Sequence, residues 1–143
     1  PSQLDSGFSE DPEARRKIEL KAMSAIMDTE RALGNQPEDV SAQKVGYDIA
    51  SYDPDTDHMR FIEVKGRIDT ADTVIITRQE LITSLNKSDQ FILAIVQINS
   101  DFVHPPRYVY GALDTREPPF DQNAIQFNIK KLLDRAFAPG EHQ

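Results

Sequence analysis

The sequence predicts an α/β (α+β) domain, a central mixed β-sheet flanked by helices in a three-layer-like arrangement. Three observations carry this. Between Pro12 and Leu33 apolar side chains (Ala22, Met23, Ile26, Leu33) recur mainly at three- and four-residue spacing, the period of a helix face. Gln90 to Ile98 is a nearly unbroken apolar run, as a buried strand requires. Between them, short β-branched and aromatic runs are separated by turn residues and followed by a second helical segment. Such an order suits helices packed on a sheet.

Residues 1–10 are polar and read as a linker, and a chain that begins Pro-Ser reads as a piece of something longer. Asp11-Pro12 supplies a capping residue and then proline at the first helical position. Gly34 terminates that helix. Glu30, four residues after Ile26, falls on the buried stripe. A weak strand is expected near Val40. Two strands then follow, one through Gly46-Tyr47-Asp48-Ile49 and one through Ile62-Glu63-Val64-Lys65-Gly66. The run Asp53-Pro54-Asp55-Thr56-Asp57 joins them as a turn.

Thr73 to Ile76 reads as a third, β-branched strand. Thr77-Arg78-Gln79-Glu80 matches the capping box S/T-x-x-E/Q ahead of a helix with Leu81, Ile82 and Leu85, ending near Asn86. Tyr108 to Leu113 is a further strand between the loops Pro105-Pro106 and Pro118-Pro119. Asp121 is expected to cap a last helix carrying Ile125, Ile129, Leu132, Leu133 and Phe137. The domain is placed at residues 11–138, with a tail at 139–143.

Composition removes several function classes. The 143 residues suit one domain with a sizeable core. No apolar run approaches the roughly 20 residues that span a membrane, and no secretory signal is visible. Cysteine is absent, which excludes disulfides and thiolate metal sites and is compatible with the cytoplasm. His58, His104 and His142 are isolated, so a zinc site is not expected. No P-loop or G-x-G-x-x-G motif is present, and no serine has a histidine near it in sequence from which a triad could be argued.

The chemistry concentrates in the hairpin. If it folds around Asp55 and Thr56, Asp48 lies opposite Glu63, at about 4.5–5.5 Å between Cβ atoms, where like charges repel. Alternation puts Glu63 and Lys65 on one face and Val64 on the other. The surrounding residues (Tyr47, Ile49, Phe61, Ile62) are apolar on both faces, and ionised groups are rarely buried there unless paired or bound to metal. A hard divalent cation with oxygen ligands, Mg²⁺ or Mn²⁺, would answer the repulsion. A self-satisfied ion pair of Lys65 with Glu63 or Asp48 would answer it too. For Glu80, capping alone is a sufficient reason. For Glu30, pairing with Lys65 or Lys44 is the alternative to a role at the site.

Asp48 followed by Glu63-x-Lys65 on the next strand resembles the PD-(D/E)xK signature of restriction-endonuclease-like nucleases. With the acidic helix, "GYDI", "IEVKG" and "TRQE", the segment from about Glu13 to Ile98 resembles the NO VEIN-type C-terminal domain. The proline of "PD" is absent, Tyr47 preceding Asp48. The resemblance implies an αβββαβ core and a Mg²⁺-dependent endodeoxyribonuclease-like activity, hydrolysing phosphodiesters. Asp48, Glu63 and the Val64 carbonyl would hold one or two Mg²⁺ (or Mn²⁺) ions, and Lys65 would orient the attacking water. Glu30, Gln79 and Glu80 would support the site, and Gly66 would let the strand end approach substrate or start a turn. It further implies a nucleic-acid partner, in the form of DNA, and a helicase or ATPase domain of restriction or phage defence.

The net charge of −8 runs against the basic footprint of nucleic-acid-binding domains. A local basic surface from Arg15, Arg16, Lys17 and Lys21 is compatible with it, with weak binding expected from this domain alone. Two other classes follow from the same residues. One is a non-catalytic nucleic-acid-binding module, the other a docking domain whose acid-and-lysine group is structural.

Overall fold

The Asp11 side chain accepts the Glu13 amide hydrogen, and Pro12 brings no donor to leave unsatisfied. Helix α1 (Pro12–Ala32) therefore starts at the capping signal, and Gly34, at φ +91°, ends it. The computed structural model describes residues 11–114 and 118–141. The segment at 1–10 and residues 142–143 of the tail, with His142, lie outside the described residues.

Strands β1 (Gln36–Asp39), β2 (Ile49–Asp53) and β3 (His58–Ile68) run antiparallel in order. Ile49 pairs with Ile62 and Asp53 with His58, so the hairpin folds between Asp55 and Thr56 as expected. The chain then passes through β4 (Thr73–Thr77) and α2 (Arg78–Asn86) before β5 (Phe91–Asn99), which lies parallel to β3. Short strands β6 (Phe102–Val103) and β7 (Arg107–Tyr110) pair antiparallel with β5. The sheet is mixed, and the elements run α1, β1, β2, β3, β4, α2, β5, with β4 outside this sheet.

Alternation along β3 and β5 divides the core. Ile62, Ile92, Ala94, Val96 and Ile98 pack with Ala22 and Ile26 of α1. Phe91, Leu93 and Ile95 point the other way, toward Leu81 of α2 and Ile76 of β4. The layers are therefore α1, the sheet, and a second shell of α2 with the small sheet that β4 forms with a later strand.

The strand expected near Val40 ends at Asp39, and Ser41–Gln43 form a 3₁₀ turn. The segment Thr73–Ile76 is a strand, but it stands outside the main sheet and pairs with β8 (Ala124–Asn128). The helix expected after Asp121 is a correction. Ile125 and Phe127 alternate as strand residues against β4, and the helix, α3 (Ile129–Leu133), begins only at Ile129. Asn128 caps it by accepting the Lys131 amide hydrogen. The same residues satisfy both periods, and the unpaired edge of β4 decides for strand. Phe137 lies beyond the helix and exchanges backbone hydrogen bonds with Tyr108. The strand at Tyr108–Leu113 shifts to Arg107–Tyr110. Among the described residues no helix is long and apolar enough to cross a membrane.

Candidate active site

Asp48 is held at the mouth of the hairpin from both sides. Its amide donates to the Ile62 carbonyl at 2.8 Å, and its carbonyl accepts from the Val40 amide at 2.8 Å. Gly46 turns the chain into this position at φ +96°, and a Cβ there would stand 2.2 Å from the Thr83 hydroxyl of α2. Tyr47 stacks on Phe61 of β3, ring centroids 4.6 Å apart. With the backbone so fixed, the Asp48 carboxylate accepts the Val64 amide hydrogen at 3.0 Å. The strand pairing runs as far as Ile49–Ile62, and Asp48 and Glu63 are the next residues along, one on each side.

Glu63 and Lys65 share the α2 side of β3. The Lys65 ammonium lies 3.3 Å from Glu63 and 3.0 Å from Glu80. Two carboxyl groups thus hold one ammonium. Burial pushes the Glu63 carboxyl well above its ordinary value, and the Glu80 and Asp48 charges add to this against the pull of Lys65. Burial also raises Asp48, offset in part by the Val64 amide and Lys65. For Lys65, burial works against the charged form, but Glu63 and Glu80 outweigh it and raise the ammonium. Burial likewise opposes Glu80's charge, and its hydrogen bond with Glu63, the Lys65 charge and the Thr77 amide hold it below the usual range. Glu63 is thus the acid of this cluster most strongly driven toward its protonated form.

The edge of β3 beside Asp48 is open. Phe61 and Asp69 donate to Gln90 and Ile98 of the β5 side, so the odd-numbered residues of β3 face β5. The even-numbered residues turn their backbone groups toward β2, whose first residue, Ile49, follows Asp48. Val64 spends its amide on Asp48, and its carbonyl points to the same edge. A cleft of about 700 Å³ opens there, lined by Asp48, Glu63, Val64, Lys65 and Gly66, with Arg15 and Arg16 of α1, Lys44 and Arg67 around them. Glu19 and Asp39 also line it, so five cations meet four acids. The cleft is far less acidic than the chain as a whole.

Other expected site residues fall differently. Glu30 is fully buried on the α1 face of the sheet, away from Glu63. Arg60 grips both its oxygens at 2.9 and 3.0 Å, and Tyr108 and Asn35 donate at 2.8 and 3.0 Å. Its partner is thus Arg60, neither Lys65 nor Lys44. Burial pushes Glu30 up, but Arg60 and Tyr108 overcome this and hold it low. Gly66 lies inside β3, where a Cβ would come 2.7 Å from Ala22 Cβ and 3.1 Å from the Ile18 carbonyl. Close approach of α1 explains this glycine; it starts no turn.

Gln79 donates to the Lys44 carbonyl at 3.0 Å, tying the loop at the cleft to α2. Glu80 caps its helix as the motif requires, accepting from the Thr77 amide at 2.9 Å. Lys44, in the left-handed region at φ 53°, and Arg67 were not singled out as site residues from sequence; no spacing signal distinguishes them. Arg60 could have been found, because it shares parity on β3 with the buried Ile62.

The donors suit an oxygen-ligated cation. Two neighbouring carboxylates, each raised by burial, gain from a positive charge, and the Val64 carbonyl adds a neutral oxygen. Among the described residues, no three His, Cys, Asp or Glu side chains converge at metal-ligating spacing, so protein carboxylates alone would not fill the shell.

Comparison with curated proteins and with solved structures gives no match. A family model does match, over residues 18–109, and spans most of α1, the hairpin, α2 and β5 together with Asp48, Glu63 and Lys65. The chain belongs to the family described as Protein NO VEIN, C-terminal.

Proposed function

We propose that this domain catalyses metal-dependent hydrolysis of phosphodiester bonds in nucleic acid, acting as an endonuclease-like part of a larger protein. One observation carries the reading. Asp48 and Glu63, just beyond the Ile49–Ile62 pair, line a cleft of about 700 Å³ at an open strand edge beside Lys65. Carboxylates that repel one another in a partly buried site are costly unless a cation joins them.

Asp48, Glu63 and the Val64 carbonyl would hold Mg²⁺ or Mn²⁺. Such an ion supplies Lewis acidity toward a phosphate oxygen and acidifies water. Lys65 donates to the water or to the phosphoryl oxygens as charge grows in the transition state. Water oxygen bonds to phosphorus as its proton passes to solvent, the ester P–O bond breaks, and the departing oxygen takes up a proton from solvent. Arg15, Arg16 and Lys44 at the cleft offer contacts for neighbouring phosphates. DNA as the substrate, a helicase or ATPase neighbour and a cytoplasmic setting belong to this proposal.

The second reading, a non-catalytic binding or docking module, is favoured by the contacts Lys65 already makes with Glu63 and Glu80. The test incubates the protein with plasmid, linear duplex, single-stranded DNA and RNA, in Mg²⁺, Mn²⁺ or EDTA, beside Lys65→Ala. Cleavage that needs metal and vanishes in the variant is the expected result. Binding without cleavage in any metal moves the assignment to the non-catalytic module.

A further inference from the structure

We propose that Glu80 is a positioning residue for Lys65, and that one carboxylate oxygen both caps α2 and holds the ammonium at the cleft. The inference rests on the role given to Lys65 above. Glu80 Oε1 accepts from the Thr77 amide at 2.9 Å and lies 3.0 Å from Lys65 Nζ. Capping accounts for the first contact and leaves the second unexplained. A capping glutamate needs no buried partner, yet both side chains here are largely enclosed, at 18% and 14% exposure.

The geometry gives Lys65 two anions, and they differ in what a cation does to them. Glu63 lies next to Asp48 and belongs to the pair that would ligate a metal, so its oxygens would be engaged there. Glu80 reaches the group from α2, its backbone fixed by the cap, and remains available to Lys65. The ammonium is thereby kept beside the site when Glu63 is occupied. Gln79, the preceding residue, holds the Lys44 carbonyl at 3.0 Å, so consecutive residues of one helical turn brace Lys65 and the opposing loop.

Two substitutions separate the two jobs. Glu80→Gln keeps an acceptor for the Thr77 amide, since glutamine also serves the capping box, but removes the charge facing Lys65. Thr77→Ala removes the hydroxyl that accepts the Glu80 amide hydrogen, the other half of the capping box, and leaves that charge. The first readout is the Lys65 ammonium signal in a lysine ¹H–¹⁵N spectrum at low temperature, assigned by its loss in Lys65→Ala. It is recorded without metal and with Mg²⁺.

The signal should persist in wild type and Thr77→Ala, and weaken or vanish in Glu80→Gln, most in Mg²⁺. The second readout is cleavage. Glu80→Gln should lose roughly 100-fold in kcat, the scale of a small misplacement, with KM within about twofold. Thr77→Ala should lose stability and keep its kcat. An unchanged Lys65 signal in Glu80→Gln overturns the proposal, as does an equal kcat loss in both variants. If wild type cleaves nothing but Glu80→Gln alone loses the signal, the nuclease reading falls and the Glu80–Lys65 link stands.

Discussion

The Asp48 carboxylate accepts the Val64 amide hydrogen at 3.0 Å, which ties the acid on one strand to the strand that carries Glu63 and Lys65. A side chain here replaces the ladder bond that β2 would make if it continued. The open edge of β3 begins at this point, so the acid marks where pairing stops and the cleft starts. Asp48→Asn keeps an acceptor for Val64 and removes the charge. It should fold with a melting temperature at or above wild type and lose metal-dependent cleavage by at least about 100-fold. Asp48→Ala should lose cleavage equally and about 1 kcal/mol of stability, the worth of the hydrogen bond. Cleavage assays beside thermal melts check both, and full activity in either variant removes Asp48 from the site.

Glu63 sets the pH dependence. Its folded-state pKa lies well above the ordinary value because burial and neighbouring acids disfavour the charged form. Between the unfolded and folded pKa values, the native state holds a proton that the unfolded state has released. Stability conferred by this group is therefore present at low pH and is lost as pH rises through that window. Mg²⁺ or Mn²⁺ competes with the proton, so the stabilisation by metal should grow with pH. Glu63→Gln should flatten the dependence and stabilise the metal-free domain by about 0.5–2 kcal/mol, a gain typical of relieving a strained functional site. Thermal melts between pH 5 and 9, with metal and with EDTA, decide the matter. A Glu63→Gln domain that melts lower than wild type at every pH contradicts the account.

Much of this site was legible because β pairing obeys arithmetic. Turn residues fixed the fold point at Asp55 and Thr56, and alternation then placed Asp48, Glu63 and Lys65 together. The capping box fixed both ends of the Thr77–Glu80 contact for the same reason, a local rule acting over a few residues. Glu30 shows where such reasoning stops. The helical stripe revealed that it is buried, but its partners, Arg60 and Tyr108, are 30 and 78 residues away in sequence. The last helix failed differently, since Ile125 and Ile129 satisfy a helical and, with Phe127, a strand period. Only the pairing with β4 chose between them.

Gly66 carries a packing prediction. The even-numbered side of β3 faces α1, and a methyl group at 66 would meet Ala22 Cβ at 2.7 Å and the Ile18 carbonyl at 3.1 Å. Neither neighbour is the end of a flexible side chain, so the helix itself has to move. Gly66→Ala should cost about 1–3 kcal/mol, as overpacking does. Because α1 also carries Arg15 and Arg16 to the cleft, KM for nucleic acid should rise while kcat changes little. Denaturant unfolding and steady-state kinetics test this. A variant as stable as wild type means that α1 does not approach β3 so closely.

Glu30 provides the control that separates structure from catalysis. Its carboxylate is fully buried, accepts from Arg60, Tyr108 and Asn35, and lies on the face of the sheet opposite to Glu63. Removing its charge strands the Arg60 guanidinium, and breaking a buried pair costs about 3–5 kcal/mol. Arg60 keeps some access to water, so Glu30→Gln should fall at the lower end, near 3 kcal/mol. Tyr108→Phe removes one hydrogen bond to a charged acceptor and should cost about 1.5–3 kcal/mol. In both variants the protein that remains folded, assayed well below its melting temperature, should keep kcat within about twofold, since neither residue touches the cleft. The pairing of Glu30 with Arg60 instead of Lys65 is what makes this outcome specific. A tenfold loss of kcat at unchanged melting temperature would falsify it and return Glu30 to the metal site.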